Sequence, residues 1–490
     1  MHRTFNSQPL RHEIRSLCAW ESPVRRSGHR ALVNIPAEIY LVIFAYLRPH
    51  DHYDRYGTQK SDPKRINDLR SLSLVCRYFC AEILPWLFES VALCPSQTKD
   101  ATGRATASYI SFCSSIKRDE QFATSLAIYI KHCSIRNWYD VSEIAGRAFL
   151  DLYIETLPSF VNLTTVSLVR IRLTPPLLAH IRRLQCLTSL SIVYCDFAGI
   201  LPEHVQKFAS RCKLKSFRLY FHRVHEALFL ISNHILEEFL PMLMHLSDLR
   251  TNTWQFINFL IYHDITPPSL VNLEMLSIRS LDGMHNCVDV LNKYLCRLPA
   301  LASLTLTFDD SYSRDHASSL LSLHHLKKLH HLCCPDYVLS KETSLPDNLD
   351  ELCLVGRRGA LQPKLFLESF GLWPDRNQLI KLSIPYALVL HILWGTSRGS
   401  RIGFERLEQL DISLDDTFNT CHLIQKPPTD DIKAMVLLLG GTLWWIVREM
   451  SLPNLRLTSF RLQDHSEHWI WGKDESTGQW TFVGKDEEVE

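Results

Sequence analysis

Six residues able to bind a soft metal crowd into one short stretch: His324, His325, His330, His331, Cys333 and Cys334. Imidazole nitrogens and thiolates are the usual zinc donors, and a structural site needs four of them around a tetrahedron. Neither this cluster nor the pairs His222 with His225 and His465 with His468 has a standard zinc spacing. The 15 cysteines are an odd number, are scattered, and form no Cys-x-x-Cys pair. That usage suits free thiols in a reducing compartment and not a disulfide framework. No Gly-x-x-x-x-Gly-Lys loop, Gly-x-Gly-x-x-Gly turn or Gly-x-Ser-x-Gly elbow is present. An isolated Cys or His is not a nucleophilic site without a positioned partner. The sequence therefore predicts no catalytic residue, no metal and no cofactor, and points to a chain that binds.

The elements that position binding residues follow from size and pattern. At 490 residues the chain exceeds one ordinary domain unless it is a repeat array. Its 46% hydrophobic and 21% charged content is globular. A net charge of +1 supplies no field to hold nucleic acid. The longest apolar stretch, Ala434 to Val447, is short for a bilayer and contains Gly440-Gly441, so it reads as a buried element and no membrane partner is expected. Residues 1–30 are Arg-rich and expected to be disordered, with no apolar run that would make a secretory leader. An intracellular protein, cytoplasmic or nuclear, is expected.

Between Asn34 and Val91 the pattern is helical. Pro36 suits a first helical turn and Asn34 can cap it. Ile35, Ile39, Ile43 and Leu47 recur along one face. Leu72, Val75, Cys76 and Phe79 read as the stripe of a second helix, ended by Pro85 before Leu87-Phe88. So small a unit buries little by itself, and its stripe is completed by the rest of the chain or by a partner.

These residues resemble an F-box. Ile35 takes the Leu place of the Leu-Pro-x-Glu opening. Pro36, Glu38, Ile39, Ile43 and Leu47 match, and so do Leu72, Val75, Cys76, Arg77 and Phe79. The Pro85-x-Leu87-Phe88-x-x-Val91 ending is similar to fungal F-box proteins. The segment 48–67 is longer and more polar than the usual connection. The resemblance implies docking on a Skp-type adaptor and, through it, a cullin–RING ubiquitin ligase. Ile35, Pro36, Ile39, Ile43, Leu47, Leu72, Val75 and Phe79 are the adaptor-contact candidates.

Farther on, a Leu-x-x-Leu-x-Leu pattern returns. It reads as Leu163-Val166-Leu168, Leu187-Leu190-Ile192, Leu214-Phe217-Leu219, Leu273-Leu276-Ile278, Leu301-Leu304-Leu306, Leu349-Leu352-Leu354, Leu379-Leu382-Ile384 and Leu407-Leu410-Ile412. Leu326-Leu329-Leu332 is irregular, Leu457-Phe460-Leu462 is poor, and a diverged copy sits near Leu246-Leu249. Intervals of roughly 23 to 30 residues are those of leucine-rich repeats, one strand plus a helix or turn per unit. Ile144 to Leu157, Leu177 to Leu184 and Val288 to Leu298 have helical spacing between them. Leu126, Ile128 and Ile130 alternate as a strand would.

The expected fold is α/β: a small all-α F-box followed by an irregular leucine-rich-repeat solenoid. The expected divisions are a disordered segment 1–30, an F-box domain 31–95 with an inserted loop 48–67, and a connecting segment and first cap 96–160. The repeat domain follows at 161–465, and 466–490 is a polar acidic tail. Side chains alternate along a strand, so residues between the leucines line one face. Arg218, Tyr220, Arg279, Asp411 and Arg461 are the target-binding candidates. The expected function is that of a non-catalytic substrate-recognition subunit of a Skp–cullin–F-box ligase with an unknown protein target. The alternative is a leucine-rich-repeat interaction scaffold that recruits no ligase.

Overall fold

The structure is a computed structural model that describes residues 63–95, 101–138, 144–221, 235, 237–252, 254–278, 287–308, 321–335, 338–339, 345–355, 378–386, 388–389, 404–414, 432–450, 452–462 and 467–487. Residues 1–30, Ile35, Pro36, Ile39, Ile43, Leu47, most of the segment 48–67 and Arg279 lie outside them. The chain divides into two units, Met1–Leu214 with Phe221–Met242, and Lys215–Tyr220 with Leu243–Glu490.

The described part of the first unit begins with a helix pair, α1 (Pro63–Ser73) and α2 (Arg77–Leu87). Leu72, Val75, Cys76 and Phe79 do not share one helix as their spacing suggested; they straddle the break. The Leu74 and Val75 N–H groups donate to the Ser71 and Leu72 carbonyls at 3.2 and 3.0 Å. The Ser71 and Ser73 hydroxyls donate to the Asn67 and Arg70 carbonyls. Such local bonds compete with helix continuation and close α1. Cys76 is extended, and its Sγ caps α2 by accepting from the Phe79 N–H at 3.5 Å. Pro85 does not end this run. It sits inside α2, where it removes one N–H that would bond back a turn, and the helix still passes through it to Leu87. Leu69 and Ile83 are fully buried, with Leu72, Tyr78, Phe79, Trp86 and Leu87 packed against them.

A parallel sheet follows, made of β1 (Ser90–Leu93), β2 (His132–Arg136), β3 (Thr165–Val169) and β4 (Ser189–Val193). β1 falls within the stretch 31–95 expected to be helical. Its Val91 and Leu93 pair with Cys133 and Ile135, which pair with Val166 and Leu168. The expected strand at Leu126–Ile130 is corrected: α4 (Gln121–Ala127), after α3 (Ala101–Lys117), ends inside it and a turn follows. Leu126 and Ala127 bury one helix face, and Ile130 begins the true repeat Ile130-x-x-Cys133-x-Ile135. α5 (Ile144–Thr156), α6 (Pro175–Ile181) and α7 (Pro202–Ala209) lie between or after the strands. Thr174 caps α6 through its hydroxyl, with Pro175 at the first position. Asn137, Arg170 and Tyr194 each follow a strand with φ of 59°, 51° and 55°. A left-handed residue at the same place in three consecutive repeats turns the chain out of the sheet each time.

In the second unit, β5 (Ser216–Tyr220), β6 (Asp248–Thr251), β7 (Asn272–Ile278), β8 (Ser303–Phe308), β9 (His331–Pro335), β10 (Glu351–Val355), β11 (Lys381–Pro385), β12 (Gln409–Leu414) and β13 (Leu457–Leu462) pair in chain order, all parallel. α8 (Trp254–Tyr262), α9 (Cys287–Leu295) and α10 (Ile432–Met450) are intervening helices. One backbone device recurs: a carbonyl just before each strand accepts from two successive N–H groups of the next repeat. Ser247 accepts from Val271 and Asn272 at 2.9 Å each, and Val271 from Ala302 and Ser303 at 2.8 and 3.0 Å. The same bonds recur at Ala302, His330, Asp350, Ile380 and Glu408, so the donors at these strand entries are paired.

The register corrects three repeat frames. The buried triplets are Leu270-Leu273-Met275, Leu329-Leu332-Cys334 and Leu455-Thr458-Phe460. They replace Leu273-Leu276-Ile278, Leu326-Leu329-Leu332 and Leu457-Phe460-Leu462. Two leucines three apart recur on both sides of the true frame, and Met275, Cys334 and Thr458 hold core positions without being leucine-like. The copy near Leu246-Leu249 is real, with buried Thr251 third.

α10 is amphipathic and not buried all round. Leu439, Leu443 and Ile446 face the core, while Leu437 and Trp444 are 78% and 61% exposed. The segment 466–490 is also not a tail. β14 (Glu467–Lys473) and β15 (Trp480–Glu487) form an antiparallel hairpin on β13. Trp469 and Trp471 are buried, and Trp471 packs edge-on to Phe460 at 5.4 Å between ring centroids. Asp474 makes the turn, its carboxylate accepting from the Ser476 and Thr477 N–H groups at 2.8 and 3.0 Å. The hydrogen bonds from Ser476 and Thr477 hold that carboxyl at about 2. Acidic composition suggested a solvated tail, but two tryptophans at alternate positions are a strand's buried face.

Candidate partner-binding face

The parallel register of the second unit lays side chains in rows. On the core side run Phe217, Leu249, Leu273, Leu304, Leu332, Leu352, Leu382 and Leu410, all buried. The opposite face carries two polar rows. One is Ser216, Asp248, Asn272, Ser303, His331, Glu351, Lys381 and Gln409. The other is Arg218, Arg250, Glu274, Thr305, Cys333, Cys353, Ser383, Asp411 and Ser459. Burial alternates along β5, β6, β9, β10, β11 and β12, so this face is partly open to solvent. β3 and β4 of the first unit show no such alternation, and Ser167 and Ser191 there are buried. Those two serines, which lie between the leucines of their repeats, are not available to a partner.

One end of the face is a charge network. Tyr220 donates its hydroxyl to Glu274 at 2.9 Å, and Arg250 bridges Glu274 and Asp248 at 3.3 Å each. Ser216 donates to Asp248 at 2.6 Å, and the Arg218 guanidinium lies 5.8 Å from the Tyr220 ring centre. Burial, reinforced by the Glu274 carboxylate, pushes the Tyr220 phenol well above its ordinary value, so it stays a donor. At the other end Asp411 is a hub. It accepts from Ser459 at 2.6 Å and Gln409 at 3.2 Å, and pairs with Lys381 at 3.6 Å. Preformed networks of this sort hold side chains in place before a partner arrives, which reduces the ordering cost of binding.

Of the target-binding candidates, Arg461 is exposed on β13 opposite Ser413, and Arg218 is half-buried. Tyr220 is buried and Asp411 nearly so; both position neighbours more than they present surface. Asp248, Arg250 and Glu274 belong to the face but went unread in the sequence. The mis-set frame at β7 hid Glu274, and with Thr251 in a core position the β6 copy was seen only as diverged, without its face residues. Of the adaptor candidates among the described residues, Leu72 and Phe79 pack on the helix-pair core, whereas Val75 is 64% exposed beside Leu74 at 86%.

The histidine-rich stretch is spread over separate contacts. His330 faces Asp350 and His331 faces Glu351, each at 3.1 Å. His324 contacts Ser322, and His325 lies 3.7 Å from the Cys296 sulfur. Burial, with His324 beside it, lowers the His325 pKa. No group of three or more metal ligands occurs among the described residues. Among these residues no helix is long and apolar enough to cross a membrane. A groove of about 520 Å³ between α3 and α4 is lined by Ser108, Phe112, Phe122 and Leu126, with Glu120 its titratable wall residue.

No protein-family model and no curated protein matches the chain. Solved structures give distant likenesses. The yeast Rad7–Elc1 complex is 13% identical over 88% of this chain and 87% of that one, at a TM-score of 0.32. The leucine-rich repeat-containing protein LegL7 from Legionella pneumophila is 11% identical over 76% and 91%, also at 0.32. An internalin from Listeria monocytogenes is 12% identical at 0.28, covering 53% of this chain; the match spans 63% of the internalin. At such scores they assign no function. The repeat array itself stands on the parallel register and the recurrent backbone bonds.

Proposed function

We propose that the chain is a non-catalytic recognition subunit of a ubiquitin ligase, one end engaging a Skp-type adaptor and the other a protein target. The observation that carries this reading is the ordered match of Ile35, Pro36, Glu38, Ile39, Ile43 and Leu47, then Leu72, Val75, Cys76, Arg77 and Phe79, to the F-box pattern. The exposed Leu74 and Val75 beside the α1–α2 break support it, since they add apolar surface next to that pattern. The polar face over β5–β13 supports a protein target, because extended repeat surfaces serve that role. The mechanism is proximity: a target held beside a charged conjugating enzyme presents its lysines at high effective concentration.

The test is a pull-down with a purified Skp-type adaptor, comparing wild type with the Ile39→Asp, Ile43→Asp double variant. Two charges on an apolar docking face abolish binding, while circular dichroism confirms an unchanged fold. Failure of the wild-type protein to bind at physiological salt would refute the ligase reading and leave a repeat scaffold without ligase recruitment.

A further inference from the structure

The rows of the open face place two thiols side by side. Cys333 on β9 and Cys353 on β10 are direct register partners in a parallel pair, so both side chains leave the same face. Both are partly exposed. Cys334, one residue on, is buried on the opposite face and cannot compete. We propose that Cys333 and Cys353 form a reversible redox site, closing to a disulfide when the protein meets a peroxide.

Geometry argues for closure and for reversibility together. Paired strands lie about 4.8 Å apart, inside the roughly 4.4–6.8 Å between Cα atoms that a disulfide spans. Register partners in a parallel pair also hold their Cβ atoms near the strand spacing, slightly beyond the roughly 3.5–4.5 Å that a disulfide prefers. The bond forms by drawing two strands together a few tenths of an ångström. A bond made against its surroundings is the more readily reduced one.

The surroundings favour Cys353 as the attacking sulfur. The Cys333 S–H and the Ser383 hydroxyl both donate to the Cys353 sulfur, which lowers its pKa despite burial; Lys381 adds to this and Asp411 opposes it. Cys333, as the donor and partly buried, is raised. The Cys353 thiolate therefore attacks one peroxide oxygen, the O–O bond breaks, and the departing hydroxide takes up the proton that Cys353 released, giving the first water and the sulfenic acid. The Cys333 sulfur then attacks that sulfur, the S–S bond forms and the S–O bond breaks. The Cys333 proton leaves with the departing oxygen as water. One hydrogen peroxide is reduced to two waters while two thiols become one disulfide.

The experiment uses the full chain, reduced and then exposed to hydrogen peroxide. Free thiols are alkylated with one isotopic form of N-ethylmaleimide, and after dithiothreitol the remainder with another. Peptide mass spectrometry reads each cysteine. The expected result is that Cys333 and Cys353 lose the first label together, about tenfold faster than exposed Cys186 and Cys296, and recover fully on reduction. In Cys333→Ser, the Cys353 sulfenic acid persists and is trapped by dimedone. Three results would overturn the proposal: the pair reacting no faster than Cys186 and Cys296, one member oxidised while the other stays free, or a product that dithiothreitol does not return.

Discussion

Replacing Tyr220 by Phe removes one hydroxyl and leaves its ring in place. The hydroxyl donates to the Glu274 carboxylate at 2.9 Å from a buried ring. A hydrogen bond to a charged group contributes about 1.5–3 kcal/mol. Glu274 keeps Arg250 as a partner and is itself 25% exposed, so the lower end applies, about 1.5 kcal/mol. Repeat arrays open locally, and a single global unfolding energy is a poor reporter of such a change. Hydrogen exchange resolved to peptides is the better assay. A loss of about 1.4 kcal/mol is a tenfold change in an equilibrium, so amides of β6 and β7 should exchange about tenfold faster. Those of β11–β13 should be unchanged. In a Glu274→Gln background the acceptor is neutral, and the same Tyr220→Phe change should cost only about 1 kcal/mol. Acceleration below twofold at β6–β7, or an equal acceleration at β11–β13, would refute the view of this network as a local brace.

Three further outcomes are expected. Gly441→Ala, in the interior of α10, should stabilise that helix by about 0.8–1 kcal/mol, read as slower exchange there; an added Cβ meets nothing within 4 Å, and glycine is a poor helix residue. Burial raises Tyr153, Tyr220 and Tyr294 above the ordinary tyrosine value and pushes Cys113, Cys195 and Cys212 up to about 12. Each raised group keeps its proton when folded and loses it when unfolded, so the contribution of these groups should be constant between pH 7 and about 8 and stability should fall as pH rises past about 9 for the thiols and about 10 for the tyrosines. Thermal melts between pH 7 and 11 check this sign. Removal of residues 467–490 bares the β13 edge and the Phe460 face that Trp471 covers, and size-exclusion chromatography should show association or loss of soluble protein.

The sequence was read best where one residue type did one job. The Leu349, Leu379 and Leu407 repeats have branched aliphatic residues at all three core positions, and their frames match the register. Reading was poorest where the core used other apolar or small groups. Met275, Cys334, Thr251 and Thr458 fill leucine positions, and at three of these repeats a slip of two or three residues finds a false leucine. That slip, together with the diverged β6 copy, moved the expected face away from Glu274, Arg250 and Asp248. The α1–α2 break was hidden for another reason: serine side-chain bonds and a cysteine cap set it, while periodicity runs across it. The Cys333–Cys353 pair was not legible, because register between strands 20 residues apart depends on how the intervening chain folds.

In the proposed function two separate surfaces do two separate jobs. Quantitative co-purification from cells tests it directly, comparing wild type, the Ile39→Asp, Ile43→Asp variant, and a face variant with Arg250→Ser, Lys381→Ser and Arg461→Ser. The first variant should lose the Skp-type adaptor and cullin but keep the other bound proteins. The face variant should keep adaptor and cullin and lose the target. Loss of the same proteins from both variants, or a wild type that brings down no adaptor, would contradict that division.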